Sequence, residues 1–240
     1  MILSLITSLS FVNPVIHSIA IEEELSLNII SIDLDSLFLN IHTHTPTREN
    51  ERIVPSFGLH PWHLSQSWKE ELMSVEGELQ KSMNLVSEVF SSVFSPFFIG
   101  ECGLDRLCST PYNRQLEAFE EQIHISERLG LPIILHCVRA LDDVLRLKQG
   151  THQPWIFHGF RGKPQQLQQL LNHGFFVSFG FHHNVDSLCA CPLDHFFLET
   201  DDNPQPIVSL YSIVANQLGT TPEELNSQFH QNLIALFQGK

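Results

Sequence analysis

Positive charge is scarce in this sequence: 13 lysines and arginines stand against 27 aspartates and glutamates in 240 residues, for a net charge of −14. That balance excludes broad electrostatic binding of nucleic acid, which needs a basic surface. A phosphate-bearing substrate would have to be gripped locally, by ions and a few placed side chains. No basic residue precedes Arg48, so the apolar opening at 1–20 lacks the positive flank of a secretory leader. Broken by Asn13, Pro14 and His17, it is also too polar to span a membrane. It reads instead as an extra strand or helix packed on the fold, or as an extension the chemistry does not need. The five cysteines are odd in number and irregularly spaced, with Cys189 and Cys191 forming a lone C-x-C. No disulfide framework is implied, which points to reduced thiols and a cytoplasmic location. Linkers, repeats and low-complexity segments are missing too, so one domain is expected over 38–240, with 1–37 as an N-terminal extension.

What is present is a regular alternation from about residue 37 onward. Short runs rich in β-branched and aromatic residues, at 37–41, 53–59, 97–100, 132–136, 155–158, 175–179 and 196–199, predict strands. Amphipathic stretches at 68–89, 113–129, 140–148, 164–172 and 222–237 predict helices. Strands alternating with helices read as an α/β fold of TIM-barrel type, for which 240 residues suffice. One interval breaks the pattern. Roughly a dozen residues separate the first strand from the second, too few for a full crossover helix. Either the first unit is truncated or the extension covers it.

Fourteen histidines make any single histidine, or a lone H-x-H, weak as a signal. Placement restores its value. His42 and His44 close the first strand and, at period 2, share a face. Glu101 follows FFIG, His136 ends PIILH, His158 ends PWIFH and Asp201 ends HFFLETD. Taken singly, each has a plain structural explanation: a satisfied histidine, a salt-bridge partner for Glu101, a helix N-cap for Asp201. Taken together they fall at carboxyl ends of strands, the face where barrels build active sites. Such ligands suit one or two divalent cations, Zn²⁺ by the imidazoles, Mn²⁺ or Mg²⁺ also by the carboxylates. Asp201 is placed to accept a proton from an attacking water. Arg139, Arg161 and Lys163, just beyond His136 and His158, are candidate phosphate contacts if they are not simply solvated loop charges. Trp62 and Phe160 are candidates for stacking on a base, core or rim packing being the commoner fate. His63, His182 and His183 read as packing or surface residues.

The segments IHTHTP, GLHPW, IGECGLD, LPIILHC, FHGF and FLETD, in this order across 38–240, resemble the motif series of the TatD family of metal-dependent deoxyribonucleases. The resemblance implies a TIM-barrel-like fold and hydrolysis of phosphodiester bonds in DNA ends or short single strands, as a DNase or 3′–5′ exonuclease with two divalent metals. It implies His42, His44 and Asp201 on one metal, His136 and His158 on the other, Glu101 bridging, and His60 orienting substrate. Arg106-Leu107 departs from the pair usual after GLD, and residues 1–37 lie outside the resemblance. Two rivals stand beside this reading: a barrel hydrolase of small amides or esters, and a catalytically idle metal-binding protein.

Overall fold

A computed structural model describes residues 37–44, 50–89 and 97–238. The expectations for the N-terminal extension lie outside the described residues, except Leu37. Eight strands and seven helices alternate: β1 (Phe38–Asn40), β2 (Glu51–Ile53), β3 (Ser56–Phe57), α1 (Trp68–Val89), β4 (Phe98–Asp105), α2 (Tyr112–Leu129), β5 (Ile133–Val138), α3 (Leu141–Lys148), β6 (Trp155–Phe157), α4 (Pro164–Asn172), β7 (Phe175–Phe179), α5 (Val185–Ala190), β8 (Phe196–Leu198), α6 (Ile207–Leu218) and α7 (Pro222–Gln238).

All pairings are parallel. β3 through β8 lie side by side in sequence order, and β1 pairs with β2. Only Val54 and Pro55 separate β2 from β3, so the chain hands pairing from β1 to β4 within one extended run. At the other end, Ile41 N donates to Leu198 O at 3.1 Å, and Thr43 bridges Asp201 in parallel. The sheet therefore curls until its last strand reaches its first, as a barrel requires. Buried on both sides, such strands read as near-continuous apolar runs, and β4 is buried along all its length. Phenylalanine supplies much of the filling: Phe119, Trp155 and Phe175 meet edge to face with centroids 5.3 and 5.8 Å apart.

The short first crossover is real, and the cover over β1 comes from the other end of the chain. The Tyr211 hydroxyl on α6 donates to Leu39 O at 2.9 Å, while Asn226 on α7 accepts from Leu39 N and donates to Leu37 O. Phe38 packs on the Tyr211 ring at 4.8 Å. Helices α5 and α6 were not among the expected ones; the buried positions of α6, Ile207, Leu210, Tyr211, Val214 and Ala215, carry the i, i+3, i+4, i+7 spacing that marks them. Among the described residues no helix is long and apolar enough to cross a membrane.

Candidate metal centre

Five imidazoles converge on one carboxylate, that of Glu101. Its Oε2 lies 3.0 Å from His42 Nε2 and 3.1 Å from His44 Nε2. Its Oε1 lies 2.8 Å from His136 Nδ1, 2.8 Å from His158 Nε2 and 3.2 Å from His60 Nε2. Asp201 stands beside the first group, its Oδ1 3.5 Å from His44 Nε2 and 4.0 Å from His42 Nε2. Each oxygen of Glu101 thus serves its own set of nitrogens, an arrangement suited to a group shared between two centres.

The backbone explains how Glu101 reaches this position. The sequence places it after a strand, but it lies inside β4, which runs on to Asp105 with a register break between Ile99 and Cys102 against β5. Gly100 lies within the break, and Gly103 just beyond it is paired with His136. Gly100 (φ 134°) and Gly103 (φ 144°) hold conformations that side chains disfavour, and a Cβ on Gly103 would sit 2.0 Å from His136 O. The carboxylate is thereby turned inward while β4 stays packed against β5. Asp201 (φ 53°) is held similarly: its N donates to His42 O at 3.2 Å, and its O accepts from His44 N at 2.9 Å. The bridge that closes the sheet also places an acid beside two of the histidines.

Each inner histidine has a carboxylate behind it, and these two residues the sequence reading missed. Glu199, fully buried, lies 3.4 Å from His158 Nδ1 and accepts a hydrogen bond from Ser178 Oγ. Asp105, also buried, lies 3.4 Å from His136 Nε2 and accepts from Trp62 Nε1 at 2.6 Å. Carboxylates on the far nitrogen fix ring orientation and raise the basicity of a ligating imidazole. The available signal was an acidic residue within an apolar strand, because a buried charge must be paired.

The electrostatics keep the carboxylates ionised. Burial pushes the Glu101 carboxyl up, yet the charges of His158 and His42 and hydrogen bonds from His136 and His158 hold it well below the usual range. Burial likewise raises Glu199, and His158, His42 and Ser178 reverse this to leave it lowered. Burial lowers His158, but Glu101 and Glu199 lift it well above an ordinary histidine. The hydrogen bond to Glu101 raises His44, whereas burial lowers His60 despite the same carboxylate.

These residues fit divalent metal. His42 Nε2 is buried and has no hydrogen-bond partner among the described residues, although Glu101 Oε2 is 3.0 Å away. Nitrogens His136 Nδ1 and His158 Nε2 face each other at 3.2 Å, where one cation would satisfy both lone pairs. Ligand atoms of His42, His44 and Glu101, of His42, His158 and Asp201, and of His60, Glu101 and His136 form groups spanning no more than 4.8 Å. All six expected ligands, and His60, are brought together.

A cavity of about 410 Å³ opens over the cluster, lined by His44, Ser56, Gly58, His60, Trp62, His63, Gly100, Glu101, His136, His158, Asp201 and Asp202. His63, read as a surface or packing residue, is on this lining. Arg139, Arg161 and Lys163 are exposed and are not on it. Phe160 is buried in the core, whereas Trp62 stands 55% exposed at the cavity. His183 is used structurally, between Gly180 O and Gln217 Oε1, each at 2.8 Å.

The family described as TatD related DNase matches residues 20–238, starting within the segment set apart as an extension. A protein of Enterocytozoon bieneusi named as a TATDN1 deoxyribonuclease homologue is 26% identical, over 94% of this chain and 93% of its own length. The 3′–5′ ssDNA/RNA exonuclease TatD of Erwinia billingiae is 28% identical, over 75% and 76%. Among solved structures, the TatD homologue YJJV of Escherichia coli aligns with a TM-score of 0.58 at 21% identity, covering 81% of this chain and 79% of that one. A TatD family hydrolase of Entamoeba histolytica aligns at 0.57 and 19%, covering 78% and 75%. These two likenesses bear on the fold.

Proposed function

Because the chain belongs to the family of TatD-related DNases, metal-dependent hydrolases, we propose that it cleaves phosphodiester bonds at DNA ends or in short single strands, as a DNase or 3′–5′ exonuclease using two divalent ions. The observation that carries this is the division of Glu101 between two sets of histidines. In this reading His42, His44 and Asp201 would hold one ion, His136 and His158 would hold the other, and Glu101 would serve both. Mn²⁺, Mg²⁺ or Zn²⁺ held there would supply positive charge beside the phosphoryl group and make a water a competent nucleophile. Asp201, a quarter exposed beside the cavity, would be placed to accept a proton from water there. His60, whose pKa burial lowers, would orient the phosphate from the rim of the cluster. Glu199 and Asp105 keep His158 and His136 turned inward.

Hydrolysis of a small amide or ester is the weaker reading: Glu101 stands where a modified lysine would bridge, and among the described residues no lysine lines the cavity. Arg139, Arg161 and Lys163 would contact phosphates lying beyond the cavity mouth rather than the scissile one. All five cysteines are free, which supports a cytoplasmic location. The test is degradation of a labelled oligonucleotide with Mg²⁺, Mn²⁺ or Zn²⁺. Activity should stop on chelation and return on adding metal back; activity indifferent to chelator would refute the mechanism.

A further inference from the structure

We propose that Trp62 is a stacking platform for an unpaired base of the substrate, held rigid at the cavity by Asp105, and that it selects single-stranded ends. This rests on the phosphodiesterase reading above and sharpens its substrate class. The chain has three tryptophans, of which Trp68 and Trp155 are 5% and 0% exposed, while Trp62 is 55% exposed. Large aromatics left open this way are usually loosely held; this one is fixed at two points. Its indole N–H donates to the buried Asp105 Oδ2 at 2.6 Å, and its backbone N donates to His60 Nδ1 at 3.1 Å. Asp105 is itself fixed, by Leu107 N on Oδ1 at 2.7 Å and by Gln115 Oε1 on its backbone N–H at 2.7 Å.

The ring meets His60 and His136 nearly at right angles, with centroids 4.9 and 5.7 Å apart and interplanar angles of 84° and 80°. Two imidazole neighbours of Glu101 are thus set edge-on to the indole, and much of the indole remains open to solvent beside them. A rigid aromatic face costs little ordering entropy when a planar group lands on it.

Charge points the same way. Among the described residues neither lysine nor arginine lines the cavity, and the chain carries −14, so a broad basic surface is not what would hold a polyanion there. Stacking adds a sequence-tolerant source of affinity to contacts with phosphate, and a base must be unpaired to present its face to the indole. A paired end would have to fray first.

Two measurements test this. In the first, metal-loaded wild type and Trp62→Leu are given two single strands that differ only in an abasic spacer at the terminal nucleotide. The spacer should raise KM roughly tenfold in wild type, as loss of one base–aromatic stack implies, and have much less effect in Trp62→Leu, with Trp62→Phe recovering part of the difference. Equal spacer penalties in wild type and Trp62→Leu, with normal wild-type hydrolysis, would overturn the assignment of Trp62 and leave the phosphodiesterase reading standing. Failure of wild type to cleave any oligonucleotide would take both down. The second needs no variant: acrylamide quenching of tryptophan fluorescence in Mg²⁺-loaded wild type bound to a phosphorothioate single strand. Protection by the normal strand but not by its abasic counterpart is the expected result. Equal quenching with both strands would contradict the proposal, because Trp62 is the one tryptophan exposed to the quencher.

Discussion

Replacing Glu199 by glutamine removes the charge behind His158 while leaving its volume and its bond from Ser178. Carboxylates in that position commonly account for about 10- to 100-fold in metal affinity or activity. Glu199→Gln should therefore fold normally and lose metal affinity by a factor in that range, read by competition with a coloured chelator. An unchanged affinity would mean that His158 is not a ligand. The six candidate ligands could be picked out because each ends or adjoins a strand, so period-2 geometry and position do the selecting among fourteen histidines. Glu199 and Asp105 were not, because what defines them is a partner on another strand: His158, 41 residues before Glu199, and His136, 31 residues after Asp105. Such a contact exists only once the sheet has curled. Arg139, Arg161 and Lys163 illustrate the opposite case, where closeness in sequence to a ligand overstated closeness to the cavity.

β4 shows how an element is shaped to deliver one side chain. Its sequence, FIGECGLD, places two glycines where a Cβ would be obstructed, and the strand departs from regular pairing between Ile99 and Cys102, around the first of them. Gly103→Ala would set a methyl against His136 O and strain a backbone at φ 144°. A loss of about 3 kcal/mol or more is expected, combining overpacking with conformational strain. Urea unfolding of the metal-free protein measures it; a loss below about 1 kcal/mol would mean that β4 relaxes without displacing β5. This kink was invisible as such in the sequence, which suggested a strand ending at Gly100. Short apolar runs do not mark where pairing continues beyond a glycine. Helices α1 and α4 were legible to the residue, one from its amphipathic run and the other from Pro164 opening and Gly174 just past its end. The helix α6 escaped although its spacing is regular, because IVSLYSIV is as rich in β-branched residues as a strand.

For the whole molecule, the alternation of strands and helices carried the barrel, and closure did not need the missing first helix because α6 and α7 return to cover β1. That closure also assembles the centre, since His42, His44 and Asp201 meet only where the first and last strands join. The charge of −14 has a kinetic consequence. Added monovalent salt shortens the screening length to about 10 Å at 0.1 M, which relieves repulsion between this chain and a polyanion. With metal held constant, kcat/KM for an oligonucleotide should stay level or rise from low salt to about that concentration. A steep fall, as for proteins that bind through basic surfaces, would show that exposed basic residues dominate capture.

The proposed sharing of Glu101 between two cations is tested most directly by titrating metal-free protein with Zn²⁺ in a calorimeter, for wild type and Glu101→Ala in parallel. Two equivalents in wild type, with both bindings weakened together in Glu101→Ala, is the predicted result. A single equivalent in wild type, or two that survive unchanged without the carboxylate, would contradict it.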